Sequence, residues 1–246
     1  MNRVWVIPLN DGEAVEIERL LKGHGETVLL TRQPWGASWA GLEPEVRKRL
    51  GELPSGVLVY GVELAGPNSY SAINLDHHRY ADEDRSNQLS SLEQVANILD
   101  VPLDRWCHLV AANDKAWIPG LLAEGATPGE IEAVRQQDRT AQGIGESHRR
   151  QAEVDLQGAE RRGGRVFVRC LRGSNAFHSD LLFGTADEWL LAAPDSWSYS
   201  GPRDATFDRL SIPEAHWSGG TSPMGYFGVT NPGDDTRRKL YSAFWS

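Results

Sequence analysis

The chain has 246 residues, with 34 acidic against 25 basic side chains and a formal charge of −9. That balance excludes a surface built as a whole to hold duplex nucleic acid, so an anionic ligand would need a local cluster of cations or a metal. Only Cys107 and Cys170 are cysteines, far apart and without a partner motif, which argues against cysteine-rich zinc and suits a reducing cytoplasm.

Residues 3–9, RVWVIPL, are apolar and branched and predict a buried strand. The apolar run is too short for a signal peptide, and no stretch is long enough to span a bilayer, so a cytoplasmic protein with no membrane partner is expected. In 10–23, Val15, Ile17, Leu20 and Leu21 fall at helical spacing and Gly23 ends the segment. A second strand is expected over 26–32, and a polar helix over 43–53 closes on Pro54. Two more strands follow, 56–64 and 69–75. Residues 90–99 read as a helix with a serine cap and Glu93 near the first turn. The segment 104–117, DRWCHLVAANDKAW, reads as helical and carries Asp114.

Strands alternating with helices predict an α/β domain with a parallel sheet. In such sheets the chemistry gathers beyond the carboxyl ends of the strands. Three acidic spots fall there: Asp11 with Glu13, Glu63, and Asp76. Residues 128–162 are strongly polar and read as a helical linker packing weakly on one face. After Gly163 and Gly164 the character changes. Strands over 165–171, 188–194 and 196–201 and a short helix over 178–184 predict a smaller α+β domain. The expected division is therefore 1–127, 128–162 and 163–246.

The order NDGE, the strand-end acid of VYGVEL, NLDHH, SSLEQVANIL and AAND resembles the DHH phosphoesterase superfamily. The resemblance covers most of residues 1–120 and, more loosely, the rest. It implies a parallel-sheet catalytic domain, a helical linker and a smaller C-terminal domain. It also implies divalent metals, usually manganese, and hydrolysis of phosphoric anhydrides or phosphodiesters. Carried over by position, the metal ligands would be Asp11, Glu13, Glu63, His77 and Asp114, holding one or two Mn2+ or Mg2+ ions. Where the family has a histidine upstream of the first motif, this chain has Ile7 and Pro8. Where it has aspartates, this chain has Glu13 and Glu63.

The intact triplet Asp76-His77-His78 would carry the catalysis. His77 would face the metal. His78 would contact a phosphoryl oxygen or protonate the leaving group, and Asp76 would orient an imidazole from behind. The residue chemistry agrees: four carboxylates and a histidine converging on one crevice repel each other unless a cation neutralises them. Oxygen-rich sites suit magnesium or manganese.

In the family's small domain a glycine-rich run presents backbone amides to the substrate. Residues 216–229, HWSGGTSPMGYFGV, stand in that place and imply Ser218, Gly219, Gly220 and Thr221 around a phosphate; the other reading is a plain turn between strands. Arg203 stands where the family often has a substrate-binding arginine. Lys115, beside Asp114, either lines the pocket or finishes a helix. Alternation in RVFVR places Arg165, Phe167 and Arg169 on one strand face, which either tracks a phosphate chain with a stacked base or is simply solvated.

The expected protein is a metal-dependent phosphoesterase acting on a small phosphorylated or nucleotide substrate. A short oligonucleotide, a cyclic dinucleotide or another phosphate ester would serve. Short single-stranded nucleic acid stands as a wider partner, and a homo-oligomer is compatible. The alternatives are a protein that binds a nucleotide or other anion without turnover, and a family member running a different reaction with altered ligands.

Overall fold

A computed structural model describes residues 2–78, 87–173, 175–202, 217–219 and 224–246. It divides into two compact units, the first running to Gly143 and the second beginning at Ile144.

In the first unit, strands β1 (Arg3–Pro8), β2 (Thr27–Thr31), β3 (Leu58–Val62) and β4 (Ile73–Leu75) form one sheet in the order β2-β1-β3-β4. All three pairings are parallel. β1 is apolar at successive positions because both of its faces are covered, as parallel sheets require. Trp5 and Ile7 enter one core, with Ile17, Leu21, Leu92, Val95, Leu109 and Val134. Val4 and Val6 enter the other, with Leu29, Trp39, Val46, Leu50 and Leu64. Trp5 stacks on Tyr60 with centroids 4.4 Å apart, and its indole N–H donates to Glu26 at 2.8 Å. The buried indole is thereby satisfied.

The helices are α1 (Gly12–Gly23), α2 (Pro44–Gly51), α3 (Ser91–Leu99), α4 (Arg105–Ala123) and α5 (Pro128–Ala141). Their starts follow from capping chemistry. Asp11 accepts from the Ala14 amide, Ser90 and Glu93 form a reciprocal capping box, and Asp104 accepts from the Cys107 amide. Within α4 the helical path breaks at Ala116 and Trp117, two residues before Pro119. Proline lacks the amide that would continue the ladder and crowds the preceding turn.

The polar stretch 128–162 divides between the units. α5 packs against α1 and α4. α6 (Glu146–Gln157) packs in the second unit against α7 (Ala176–Leu182) and β6 (Arg165–Arg169). Arg135, Asp138 and Arg139 of α5 are buried beside Val134, so polarity there does not mean exposure.

The second unit also contains β5 (Glu160–Arg162), β7 (Glu188–Ala192), β8 (Ser196–Pro202), β9 (Trp217–Gly219), β10 (Met224–Thr230) and α8 (Asp234–Trp245). The sheet order is β5-β6-β7-β8-β10-β9, with β6 and β7 parallel and the other pairs antiparallel. Phe167, Leu190, Tyr199, Phe227, Leu240 and Phe244 form its core. The Tyr199 hydroxyl donates to buried Glu188 at 2.8 Å, and Arg165 balances that carboxylate at 2.6 Å. Among the described residues no helix is long and apolar enough to cross a membrane.

One glycine in the first sheet is obligatory for steric reasons. A Cβ on Gly61 of β3 would overlap the Trp39 indole, which is buried and packed on Tyr70 at 5.9 Å between centroids. Gly61→Ala is therefore expected to destabilise the protein by about 2 kcal/mol, read as a lower urea midpoint. An unchanged midpoint would mean that Trp39 can move aside.

Candidate metal centre

The order β2-β1-β3-β4 reverses direction between β1 and β3, and a crevice opens beyond the carboxyl ends of strands at such a switch point. Asp11 follows β1 and caps α1. Glu63 follows β3 directly, with φ at 51°, a left-handed conformation that non-glycine residues avoid. Two contacts hold it there: its amide donates to Leu75 O at 2.9 Å, and Ser91 Oγ donates to its Oε1 at 2.9 Å. Backbone strain of this kind collects at functional positions. β4 ends at Leu75, and Asp76, His77 and His78 come next. Asp114 lies just before the break in α4.

These elements bring Glu63, His77, His78 and Asp114 together, each with a donor atom within 4.8 Å of the others. His77 Nε2 lies 2.9 Å from Asp114 Oδ2, and its Nδ1 lies 3.7 Å from Glu63 Oε1. His78 Nδ1 is 3.8 Å from the same Glu63 oxygen. The two imidazole centroids are 4.2 Å apart. Asp76 Oδ1 accepts from the His78 amide at 2.9 Å and faces its Nδ1 at 3.0 Å. Asp76 therefore fixes His78, the second imidazole of the pair.

Asp11 and Glu13 stand outside this group of four. Asp11 Oδ1 accepts from Ala14 N at 2.8 Å, and Glu13 Oε1 accepts from Leu92 N at 3.0 Å. Both remain coupled to the cluster by charge. Burial first, and the Glu63 charge second, push Asp11 up to about 8. Burial and Asp114 do the same to Glu13, also to about 8. Glu63 rises to about 8 through burial and Asp114, and Asp114 to about 7 through burial and Asp11. Burial opposes a charge on His78, but the Asp76 hydrogen bond and the Glu63 and Asp114 carboxylates outweigh it and raise His78 to about 10.

The donor set fits a divalent cation. Nδ1 of His77 and Oε2 of Glu13 are buried and make no hydrogen bond within the described residues, and Nε2 of His77 has the Asp114 carboxylate as its ion-pair partner. Buried polar atoms are normally paired. Carboxylates suit magnesium and manganese, and imidazole suits the transition metals, so the Glu63 and Asp114 carboxylates with the His77 imidazole match an ion such as manganese.

Lys115 is engaged elsewhere: its Nζ lies 2.7 Å from Glu93 Oε2, the carboxylate of the α3 capping box. Ser218 and Gly219 stand in β9, opposite Phe227 and Tyr226 of β10. Arg203, Gly220 and Thr221 lie outside the described residues.

Two neighbours escaped the sequence reading. Ser91 holds Glu63, as above. Asp138 of α5 accepts from the Gly12 amide at 3.1 Å and from Arg135 at 2.7 Å, and Arg135 also donates to Asn113 at 3.2 Å. A Cβ on Gly12 would come within 3.1 Å of the Asp138 Cα, so glycine lets α5 close on the start of α1. The usable signal was the i, i+1, i+4, i+5 spacing of Val134, Arg135, Asp138 and Arg139, hidden because three of the four are charged. Asp138→Ala leaves Arg135 buried without this carboxylate and is expected to cost about 3 kcal/mol. Urea denaturation checks this, and a loss under about 1 kcal/mol would place the pair in the weak class of exposed ion pairs.

Comparison with protein-family models and with curated proteins finds no match. Among solved structures, the chain is similar to the pGpG-specific phosphodiesterase PggH of Vibrio cholerae, at 11% identity and a TM-score of 0.42, over 100% of this chain and 98% of that one. It is similar to the RecJ of Thermus thermophilus in complex with Mg2+, at 15% identity and a TM-score of 0.47, over 98% of this chain and 48% of that one. It is also similar to an exonuclease RecJ bound to manganese, at 12% identity and a TM-score of 0.38, over 98% of this chain and 89% of that one.

Proposed function

We propose that this protein is a metal-dependent phosphodiesterase of the DHH type, acting on a small phosphorylated or nucleotide substrate. The observation that carries the reading is the convergence of Glu63, His77, His78 and Asp114 within 4.8 Å of one another. Buried atoms without a hydrogen bond on His77 (Nδ1) and Glu13 (Oε2), within the described residues, support it. His77, Glu63 and Asp114 hold the cation, with Asp11 and Glu13 beside them. A bound Mn2+ or Mg2+ supplies the positive charge that lets these carboxylates ionise and the Lewis acidity that polarises a phosphoryl group. Asp76 orients His78 and keeps it protonated. His78 thereby presents a hydrogen-bond donor to a phosphoryl oxygen and a proton to the departing alkoxide.

The test is release of p-nitrophenol from the p-nitrophenyl ester of thymidine 5′-phosphate, with Mn2+, with Mg2+ and with EDTA. Turnover with a divalent cation and none in EDTA is expected. A second reading, nucleotide binding without turnover, draws on one observation: Asp11 is committed to its helix cap, and Ile7 and Pro8 stand where the family has a histidine. Nucleotide binding with no hydrolysis under any divalent cation would select that reading.

A further inference from the structure

The second unit holds a cavity of about 510 Å3 at the carboxyl ends of the parallel strands β6 and β7, against α8. Its chemistry comes from Phe167, Trp197 and Tyr241 and from Arg169, Arg237 and Arg238.

The rings make crossed walls. Phe167 meets Trp197 at 5.8 Å and 54°, and Tyr241 at 4.8 Å and 79°. Phe167 is buried, with the Arg169 guanidinium 4.9 Å over its ring, and it backs Trp197 and Tyr241, whose rings suit the flat apolar faces of a nucleobase. The cations differ in how they are held. Arg237 donates to the carbonyls of Pro232 at 2.8 Å and Pro194 at 2.9 Å. Neutral carbonyls fix the guanidinium without cancelling its charge, so it is a preorganised cation. Arg169 pairs with Glu160, which also accepts from the Tyr241 hydroxyl, and Arg238 pairs with Asp235. The side chains of Arg169 and Arg238 are 68% and 71% exposed. Ion pairs of that kind contribute little and exchange readily for a better acceptor. A phosphate is such an acceptor, because it takes charge-assisted, forked bonds from guanidinium. Among the described residues no carboxylate lines the cavity, so three cations meet at one mouth of a chain whose formal charge is −9. The volume lies within the roughly 300–1,000 Å3 of small-molecule sites.

We propose that this cavity binds a nucleoside monophosphate, the base against Trp197 and Tyr241 and the phosphate on Arg169, Arg237 and Arg238. Every residue that lines the cavity belongs to the second unit, and the proposal does not depend on the phosphodiesterase reading. The test is calorimetric titration of the full chain in EDTA with AMP, adenosine, inorganic phosphate and a 5′-phosphorylated adenine dinucleotide. One AMP per chain is expected, bound at least tenfold tighter than adenosine or phosphate and no weaker than the dinucleotide. His77→Ala should bind AMP as the wild type does. The double variant Arg169→Glu/Arg238→Glu, whose exposed side chains are not needed for folding, should bind AMP at least tenfold more weakly with an unchanged circular dichroism spectrum. Tyr241→Leu should weaken AMP while leaving phosphate unchanged. No AMP binding at millimolar concentration would overturn the proposal. So would loss of binding in His77→Ala, an unchanged Kd in the charge-reversed variant, or a tenfold preference for the dinucleotide.

Discussion

His77→Ala is expected to remove divalent-cation-dependent phosphodiester hydrolysis, with kcat/KM falling on the order of a thousand-fold or more. The reason lies in how the ring is placed. Its Nε2 faces Asp114 at 2.9 Å, and its Nδ1 faces Glu63 at 3.7 Å and makes no hydrogen bond within the described residues. Removing it takes away a ligand and the ion pair with Asp114, and Asp114 can hold its proton to about 7, so the fold should survive. Thermal unfolding separates these effects. In EDTA the variant should melt within a few degrees of wild type. In excess Mn2+ the wild type should gain about 2.7 kcal/mol when the ion stands at a hundred times its Kd, and the variant should gain little. Wild-type rates in the variant would remove His77 from the site.

The metal-free protein is expected to lose stability as pH rises from about 5 to 9, the reverse of the usual acid denaturation. Unfolded carboxylates release their protons near pH 4. In the folded chain Asp11, Glu13 and Glu63 hold theirs to about 8, and Asp114 to about 7. Between those limits the folded state binds more protons than the unfolded state, so the free energy of unfolding falls with rising pH. His78 acts in the same direction. Its stabilisation is complete below the unfolded value near 6.5 and is lost as pH passes through its folded value of about 10. Saturating Mg2+ should flatten the slope, because the ionised carboxylates then face a cation, and binding at pH 7 should release protons. Melting curves at pH 5.5, 7.0 and 8.5, with EDTA and with Mg2+, check both statements. A melting temperature that rises with pH in EDTA would contradict the crowding of buried acids at this crevice.

Much of the first unit was legible because its local signals agree. The continuous apolar run of β1 reflects two covered faces, the Ser90 and Glu93 spacing marks the start of α3, and acids at strand ends mark the crevice. Glu63 and the histidine pair each follow a strand end, whereas Asp114 lies inside α4. Other features were not legible. The Asp76 side chain orients His78, a choice made by backbone geometry after β4 and not by composition. Glu63 needs Ser91, and Gly12 needs Asp138, contacts spanning 28 and 126 residues. The stretch 128–162 reads as a helical linker packing weakly on one face because the buried face of α5 satisfies its charges internally, through Arg135, Asp138 and Asn113. Periodicity of apolar residues cannot reveal a face that is buried and polar.

Crystals grown in MnCl2 and measured at the manganese absorption edge test the central claim most directly. The expected anomalous density lies among Glu63, His77, His78 and Asp114, with Asp11 and Glu13 beside it, and disappears in His77→Ala. A saturated crystal with no peak at those residues, or with manganese bound only elsewhere on the chain, would contradict it.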